Sequence, residues 1–179
     1  MKETSPDILR QKAAKIKWFF CDIDGTLTDG GVYYSPEGEF LKRFSLRDGT
    51  GFFLLRQCGI KTGFITTENT PIVEQRAKKL KIDKYIFGTH RKVEAIQEFI
   101  SSEGLTLENV AFIGDELNDV KLLKACGLSF AVGDADTHAK NVSDIICRKS
   151  GGNGAFREAV SIFLGLSNID INSIIESNL

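Results

Sequence analysis

Asp22 and Asp24 stand two residues apart where the apolar run Trp18-Phe19-Phe20-Cys21 gives way to a turn containing Gly25 and Gly30. On a strand, residues i and i+2 share a face and lie about 6.5 to 7 Å apart along the chain, so both carboxylates would reach one reacting group at the strand's carboxyl end. A lone acidic pair could equally cap the turn that follows. A second cluster shifts the balance: the apolar segment Val110-Ala111-Phe112-Ile113 runs into Gly114-Asp115-Glu116-Leu117-Asn118-Asp119. Two such strand ends side by side would suit Mg²⁺, which takes one or two carboxylates and completes its shell with water and phosphate oxygens. Between the clusters, Thr66 closes another apolar strand and Lys92 opens a helix. A hydroxyl donor and a compact ammonium are suitable phosphate ligands. In this order the residues point to metal-assisted phosphoryl transfer. A calcium loop is excluded, because it needs glycine at its sixth position and glutamate at its twelfth, where this chain has Leu27 and Tyr33.

Those residues must be positioned by alternating strands and helices. Ser5-Pro6 and the good helix formers after them predict a leading helix, and Trp18 to Cys21 a first strand. From Gly31 to Leu46, alternating Val32, Tyr34, Phe40 and Phe44 surround the turn Ser35-Pro36-Glu37-Gly38, which predicts a β-hairpin inserted after strand 1. A helix through Phe52 to Leu55 follows, then a strand over 61–66, a helix over 71–80 and a strand over 85–87. A helix over 92–102, a strand over 110–113, a helix over 117–125 and strands over 129–132 and 145–147 complete the pattern. Such alternation predicts an α/β fold, a doubly wound parallel sheet with helices on both faces. Residues 1–179 read as one domain, with a polar tail over 165–179 that is mobile or docks on another subunit.

Composition narrows the function. Lys plus Arg (23) nearly balance Asp plus Glu (24), so no field of one sign draws in nucleic acid or an anionic membrane. No apolar run approaches the roughly 18 residues of a membrane span, and the expectation is a cytoplasmic protein acting on a small molecule. Cys21, Cys58, Cys126 and Cys147 are scattered without a Cys-x-x-Cys pair and read as reduced core residues. His90 and His138 are too few for a histidine metal site or triad.

The ordered set resembles the haloacid dehalogenase superfamily of phosphatases over roughly residues 18–163, with its four motifs as Asp22-Ile23-Asp24-Gly25-Thr26, Thr66, Lys92 and Gly114 to Asp119. The resemblance implies a Rossmann-like fold, with Asp22 as nucleophile and Asp24 as general acid and then base. It also implies that Thr66 and Lys92 hold the phosphoryl group, and that Asp22, Asp24, Asp115 and Asp119 surround Mg²⁺, Asp119 supporting the metal site or Lys92. Elementary electrostatics agrees: a carboxylate attacking a phosphate dianion meets repulsion of about 4 kcal/mol per charge pair at 4 Å in a surface-like dielectric, which Mg²⁺ and Lys92 would offset.

Thr66 follows Asp24 by 42 positions and Lys92 follows Thr66 by 26, so no cap domain fits, and a neighbouring subunit is the obvious source of a lid. Leu27-Thr28-Asp29-Gly30, Phe44 to Gly51 and Gly151 to Glu158 are similar to the capless, tetrameric phosphatases of sugar acids. That likeness implies a homotetramer with active sites near subunit interfaces, lined in part by Arg47, Asp48 and Arg157. Its substrates are 3-deoxy-manno-octulosonate 8-phosphate or the nine-carbon 2-keto-3-deoxynononate and N-acylneuraminate 9-phosphates, the latter belonging to sialic acid biosynthesis. Where octulosonate enzymes generally read Thr-Gly-Arg, this chain has Thr66-Thr67-Glu68. Glu68 with Arg76 and Lys79 resembles the nine-carbon enzymes, which makes a 9-phosphate the expected substrate and the 8-phosphate the alternative. Charged residues on a helix exterior are otherwise ordinary solvated groups. A receiver-type regulatory module is the competing reading of another class, but its phosphorylated Asp comes later in the sheet and lacks a neighbour like Asp24. Gly152-Asn153-Gly154-Ala155-Phe156-Arg157 lacks the third glycine of a dinucleotide fingerprint.

Overall fold

Four consecutive apolar residues leave a strand no face for solvent, so Trp18–Cys21 belongs in a sheet covered on both sides. The computed structural model, which describes residues 5–178, puts it at the centre of one. The strands are β1 (Trp18–Cys21), β2 (Tyr33–Ser35), β3 (Gly38–Leu41), β4 (Lys61–Ile65), β5 (Lys84–Ile86), β6 (Val110–Gly114), β7 (Leu128–Ala131) and β8 (Ile145–Ile146). The helices are α1 (Pro6–Lys15), α2 (Leu46–Gln57), α3 (Pro71–Leu80), α4 (Lys92–Ser101), α5 (Val120–Ala125), α6 (Thr137–Val142), α7 (Ala155–Leu166) and α8 (Ile171–Asn178). Six strands form a parallel sheet in the order β5-β4-β1-β6-β7-β8, and β2 with β3 forms the separate hairpin. From β1 the chain winds outward through β4 and β5, then crosses back to β6 and winds the other way. That reversal opens a crevice at the carboxyl ends of β1, β4 and β6. Cys21 pairs with both Phe64 and Ile113, so Asp22, Thr66 and Asp115 leave the sheet at nearly one level.

Aromatic rings fill both sides of β1. Trp18 and Phe20 stack at 5.3 Å on one face and meet Phe99 of α4 edge-on. Phe19 on the other face stacks on Phe130 and meets Phe156 and Phe163 of α7, and Phe156 stacks on Phe52 of α2 at 4.0 Å. Gly63 in β4 is glycine for packing reasons: a Cβ there would overlap the ring of Phe20.

Both halves of the sheet carry the same clamp. Asp83, just before β5, accepts from the backbone N–H and hydroxyl of Thr62 at 2.8 and 2.9 Å. Asp144, just before β8, accepts from the backbone N–H and hydroxyl of Ser129 at 3.0 and 3.2 Å. Asp144 also takes Lys12 of α1 at 2.5 Å, fastening the leading helix to the sheet.

Several elements differ from expectation. The helix expected over 117–125 begins as a 3₁₀ turn, Leu117–Asp119. The short helix α6 carries too little periodicity to read. Within the tail over 165–179, expected to be mobile or to dock on another subunit, α7 continues to Leu166 and α8 follows. Ile171, Ile174 and Ile175 recur at helical spacing; Ile174 is buried, and α8 packs on α2 of its own chain. The cysteines are free thiols, three buried and Cys58 half-buried. No helix of the described residues is long and apolar enough to cross a membrane.

The Asp144 clamp should be asymmetric under mutation. Asp144→Ala leaves the buried donors of Ser129 unmatched and should cost about 2 kcal/mol, whereas Lys12→Met, which removes a partner that is one-third exposed, should cost about 1 kcal/mol or less. Urea unfolding of the two variants measures the difference.

Candidate active site

The carboxyl-end crevice holds a cleft of about 370 Å³ whose lining includes Asp22, Asp24, Thr66, Glu68, Asp115 and Lys42. Asp22 follows β1 directly, its N–H donating to Ile113 of β6, and is buried. Lys92, the first residue of α4, reaches beneath it: its Nζ donates to Asp22 Oδ1 and Asp119 Oδ1, each at 2.6 Å, with its side chain 1% exposed. Burial opposes the charge on Lys92, but attraction from Asp22 and Asp119 outweighs it and leaves its pKa raised. Burial raises the Asp22 pKa, the charge of Asp119 adds to that, and Lys92 opposes both.

Asp22, Asp115 and Asp119 each offer an oxygen within 4.8 Å of the others. Oxygen ligands of this kind fit Mg²⁺. Asp115 is oriented by the Thr26 hydroxyl, which donates to its Oδ1 at 2.7 Å. Gly25, at a φ of 85°, leaves the room Asp115 occupies, since a Cβ there would overlap Asp115 Oδ2. Asp119 Oδ1 serves Lys92, and its Oδ2 accepts from the N–H of Asp115 at 2.9 Å. Asp119 is therefore built chiefly to hold Lys92 and the Asp115 loop. Burial, with a contribution from Asp119, pushes the Asp115 pKa up to about 7, against the pull of its bond from Thr26. Thr66 is buried at the end of β4, and its Oγ1 accepts from the Glu68 N–H at 3.1 Å.

Asp24 departs from the expected arrangement. β1 ends at Cys21, and the N–H groups of Thr26, Leu27 and Thr28 all fold back to the carbonyl of Ile23. The chain is turning, so the strand rule no longer puts Asp22 and Asp24 on one face. The Asp24 carboxylate lies outside the acidic cluster and its Oδ1 accepts from Lys42 at 2.5 Å.

The remaining residues expected at the site divide among three places. Glu68 lines the acidic cleft. Arg47 and Arg157 line a second hollow with Arg148 and Lys149, and Asp48 is a buried tie whose Oδ1 accepts from the Arg157 N–H at 2.9 Å, joining the starts of α2 and α7. Burial raises the pKa of Asp48, against the pull of those backbone bonds. Arg76 and Lys79 line an apolar groove between α2, α3 and α8, where Arg76 donates to the Ser45 carbonyl and lies over the ring of Phe44. Their shared helical face is thus turned toward α2 and α8, and within one chain they do not meet Glu68. Sequence reasoning missed Lys42, Glu39 and the bond from Thr26 to Asp115; nothing in the sequence sets Lys42 apart from the adjacent Arg43 in a hairpin that also holds Glu37 and Glu39.

Comparison with known proteins gives one answer at each level. Residues 55–158 match the family of haloacid dehalogenase-like hydrolases. The chain is 37% identical over 156 residues to the 3-deoxy-D-manno-octulosonate 8-phosphate phosphatase of Haemophilus influenzae, covering 87% of each protein. It is also similar to the crystal structure of the Moraxella catarrhalis 3-deoxy-D-manno-octulosonate 8-phosphate phosphatase in complex with magnesium ion, phosphate ion and KDO (TM-score 0.90, 36% identity, 96% of this chain and 98% of that one). The cobalt-bound Haemophilus influenzae phosphatase superposes with a TM-score of 0.84 at 37% identity, covering 88% of this chain and 92% of that one.

Crowding these carboxylates has a consequence for stability. Asp115 binds its proton more tightly folded than unfolded, so without metal its contribution is complete below its ordinary value of 3.8 and is lost as pH rises through about 7. In chelator, thermal stability should fall between pH 5 and 8. Saturating Mg²⁺ should flatten or reverse that slope, because a cation favours the ionised carboxylates. Melting curves with and without Mg²⁺ check both signs.

Proposed function

The chain belongs to the haloacid dehalogenase-like hydrolases, and on that premise we propose that it hydrolyses the terminal phosphate ester of a 2-keto-3-deoxy sugar acid through an aspartyl phosphate on Asp22. The phosphate class follows from the family; the residue roles and the nine-carbon substrate are the proposal. The observation that carries the chemistry is Lys92 held between Asp22 and Asp119 beside Asp115. Mg²⁺, for which the acidic cluster is suited, supplies the positive charge that a carboxylate needs in order to approach a phosphate dianion.

The chain's own groups do the rest. Lys92 offsets charge on Asp22 and on the phosphoryl oxygens, while Asp119 shares its ammonium and keeps it fixed. Because Thr66 Oγ1 already accepts from the Glu68 N–H, its hydroxyl proton is left to donate to a phosphoryl oxygen. Asp22 attacks phosphorus in line, Asp24 gives its proton to the departing sugar oxygen, and Asp24 then takes a proton from the water that cleaves the aspartyl phosphate. Family membership favours this hydrolytic cycle over a receiver-type module.

For the sugar acid we propose a nine-carbon 9-phosphate, 2-keto-3-deoxynononate or N-acylneuraminate. Glu68 in the cleft, where octulosonate enzymes generally carry arginine, supports that choice. The relatives named for the octulosonate 8-phosphate, one with KDO bound, support the eight-carbon alternative. In either case Lys42 in the cleft wall and Lys92 beneath Asp22 are already paired with carboxylates, which supports a second copy as the source of the cation for the sugar's carboxylate. The hairpin supports association into a homotetramer: Tyr34 is 72% and Phe40 59% exposed on a two-stranded ribbon that is only marginally stable alone.

Asp22→Asn should lower turnover by roughly 10³-fold or more while the protein stays folded, and substantial Mg²⁺-dependent activity in this variant would refute the aspartyl phosphate. Side-by-side kcat/KM values on the 9-phosphates and the 8-phosphate decide the substrate, a higher value on the latter removing the nine-carbon reading alone.

A further inference from the structure

Lys42 sits just past the end of β3 between two exposed residues, Leu41 and Arg43, yet its own side chain is 2% exposed. Burying an ammonium is costly unless it is paired, and a hairpin that needed only packing would use an aliphatic residue. The side chain turns inward to form part of the cleft wall, with Nζ 2.5 Å from Asp24 Oδ1 and 3.1 Å from Glu39 Oε1. Burial opposes its charge, but its bond to Asp24 and its ion pair with Glu39 raise its pKa all the same. The other oxygen, Asp24 Oδ2, is buried with no hydrogen-bond partner among the described residues. An orphaned carboxylate oxygen in a cleft calls for an explanation.

We propose that Lys42 is a positioning residue for Asp24: by engaging Oδ1 it leaves Oδ2 as the only seat for the proton and turns that atom toward the leaving oxygen of the substrate. This rests on the hydrolytic reading of Asp22 and Asp24 and adds to it a device carried by the hairpin. As Asp22 forms its bond to phosphorus, the bond from phosphorus to the ester oxygen breaks and its electron pair stays on that oxygen. The proton on Asp24 Oδ2 passes to the same oxygen, leaving Asp24 ionised to receive a proton from water in the second step. Without Lys42 the carboxyl group rotates and the proton sits on either oxygen, so alkoxide departure loses its donor. A phenolate that leaves unaided is spared.

The test compares a primary alkyl phosphate, sugar-acid or simple, with p-nitrophenyl phosphate at saturating Mg²⁺. Lys42→Met should lower kcat on the alkyl ester by about 10²-fold and on the aryl ester by less than about tenfold, with KM little changed. Lys42→Arg should show the same alkyl-selective loss at smaller size, and it carries the test if the Met variant melts early. The double variant Asp24→Asn/Lys42→Met should be no slower on the alkyl ester than Asp24→Asn alone, as residues acting as a unit behave. Equal losses on both esters, losses that multiply in the double variant, or no loss at all would overturn the role of Lys42. A wild-type enzyme that cleaves simple alkyl phosphates but ignores sugar acids would instead overturn the substrate reading, and the Lys42 comparison is then decided on the simple ester.

Discussion

The buried ammonium of Lys92 is the constraint around which the catalytic end is arranged. Three carboxylates drawn within a few ångströms repel one another, and desolvation raises the cost of ionising Asp22 and Asp115. Lys92 relieves part of this by bonding two of them, and it can do so only because α4 begins where β1 and β6 end. Asp119 in turn is fixed by the N–H of Asp115 and by the closeness that Gly114 permits, since a Cβ at that position would overlap its carboxylate. What remains unbalanced is negative charge open to the cleft, which is the condition for attracting a divalent cation together with a phosphate.

The sheet makes this possible through its order. A strand at the reversal point has neighbours whose outgoing loops diverge, and β1 occupies that point. Aromatic packing on both faces holds β1 up to Cys21, Asp22 is still tied to β6 and meets Lys92, and the turn that folds back on Ile23 carries Asp24 to Lys42 of the hairpin. Asp22 and Asp24 are thus supported by different elements, one by the core and one by an appendage.

That division gives the hairpin two surfaces with different chemistry. Toward the cleft it offers Glu39 and Lys42 together with Val32 and Tyr34; outside the cleft lining it exposes Tyr33, Phe40 and Leu41. The cations expected to read the substrate lie elsewhere, Arg47 and Arg157 beside the joined starts of α2 and α7, Arg76 and Lys79 under α8. Within one chain the acidic cleft and these cations are therefore separate, and Arg76 is held by the Ser45 carbonyl and the ring of Phe44.

Much of this was legible in the order of residues. The alternation of apolar strands with capped helices located the six-stranded parallel sheet, and the positions of Asp22, Thr66, Lys92 and Asp115 at element boundaries placed them at one end of it. These are local properties: burial on both faces demands a continuous apolar run, and helix starts carry caps and prolines. The strand rule failed at Asp24 because periodicity holds only while the strand lasts. At Arg76 and Lys79 a shared helical face does not by itself say which neighbour that face meets, and within one chain it turns to α2 and α8. The inward turn of Lys42, the Asp48 tie and the docking of α8 depend on contacts between segments far apart in the chain, and only the packed tertiary structure decides which charges are brought together out of water.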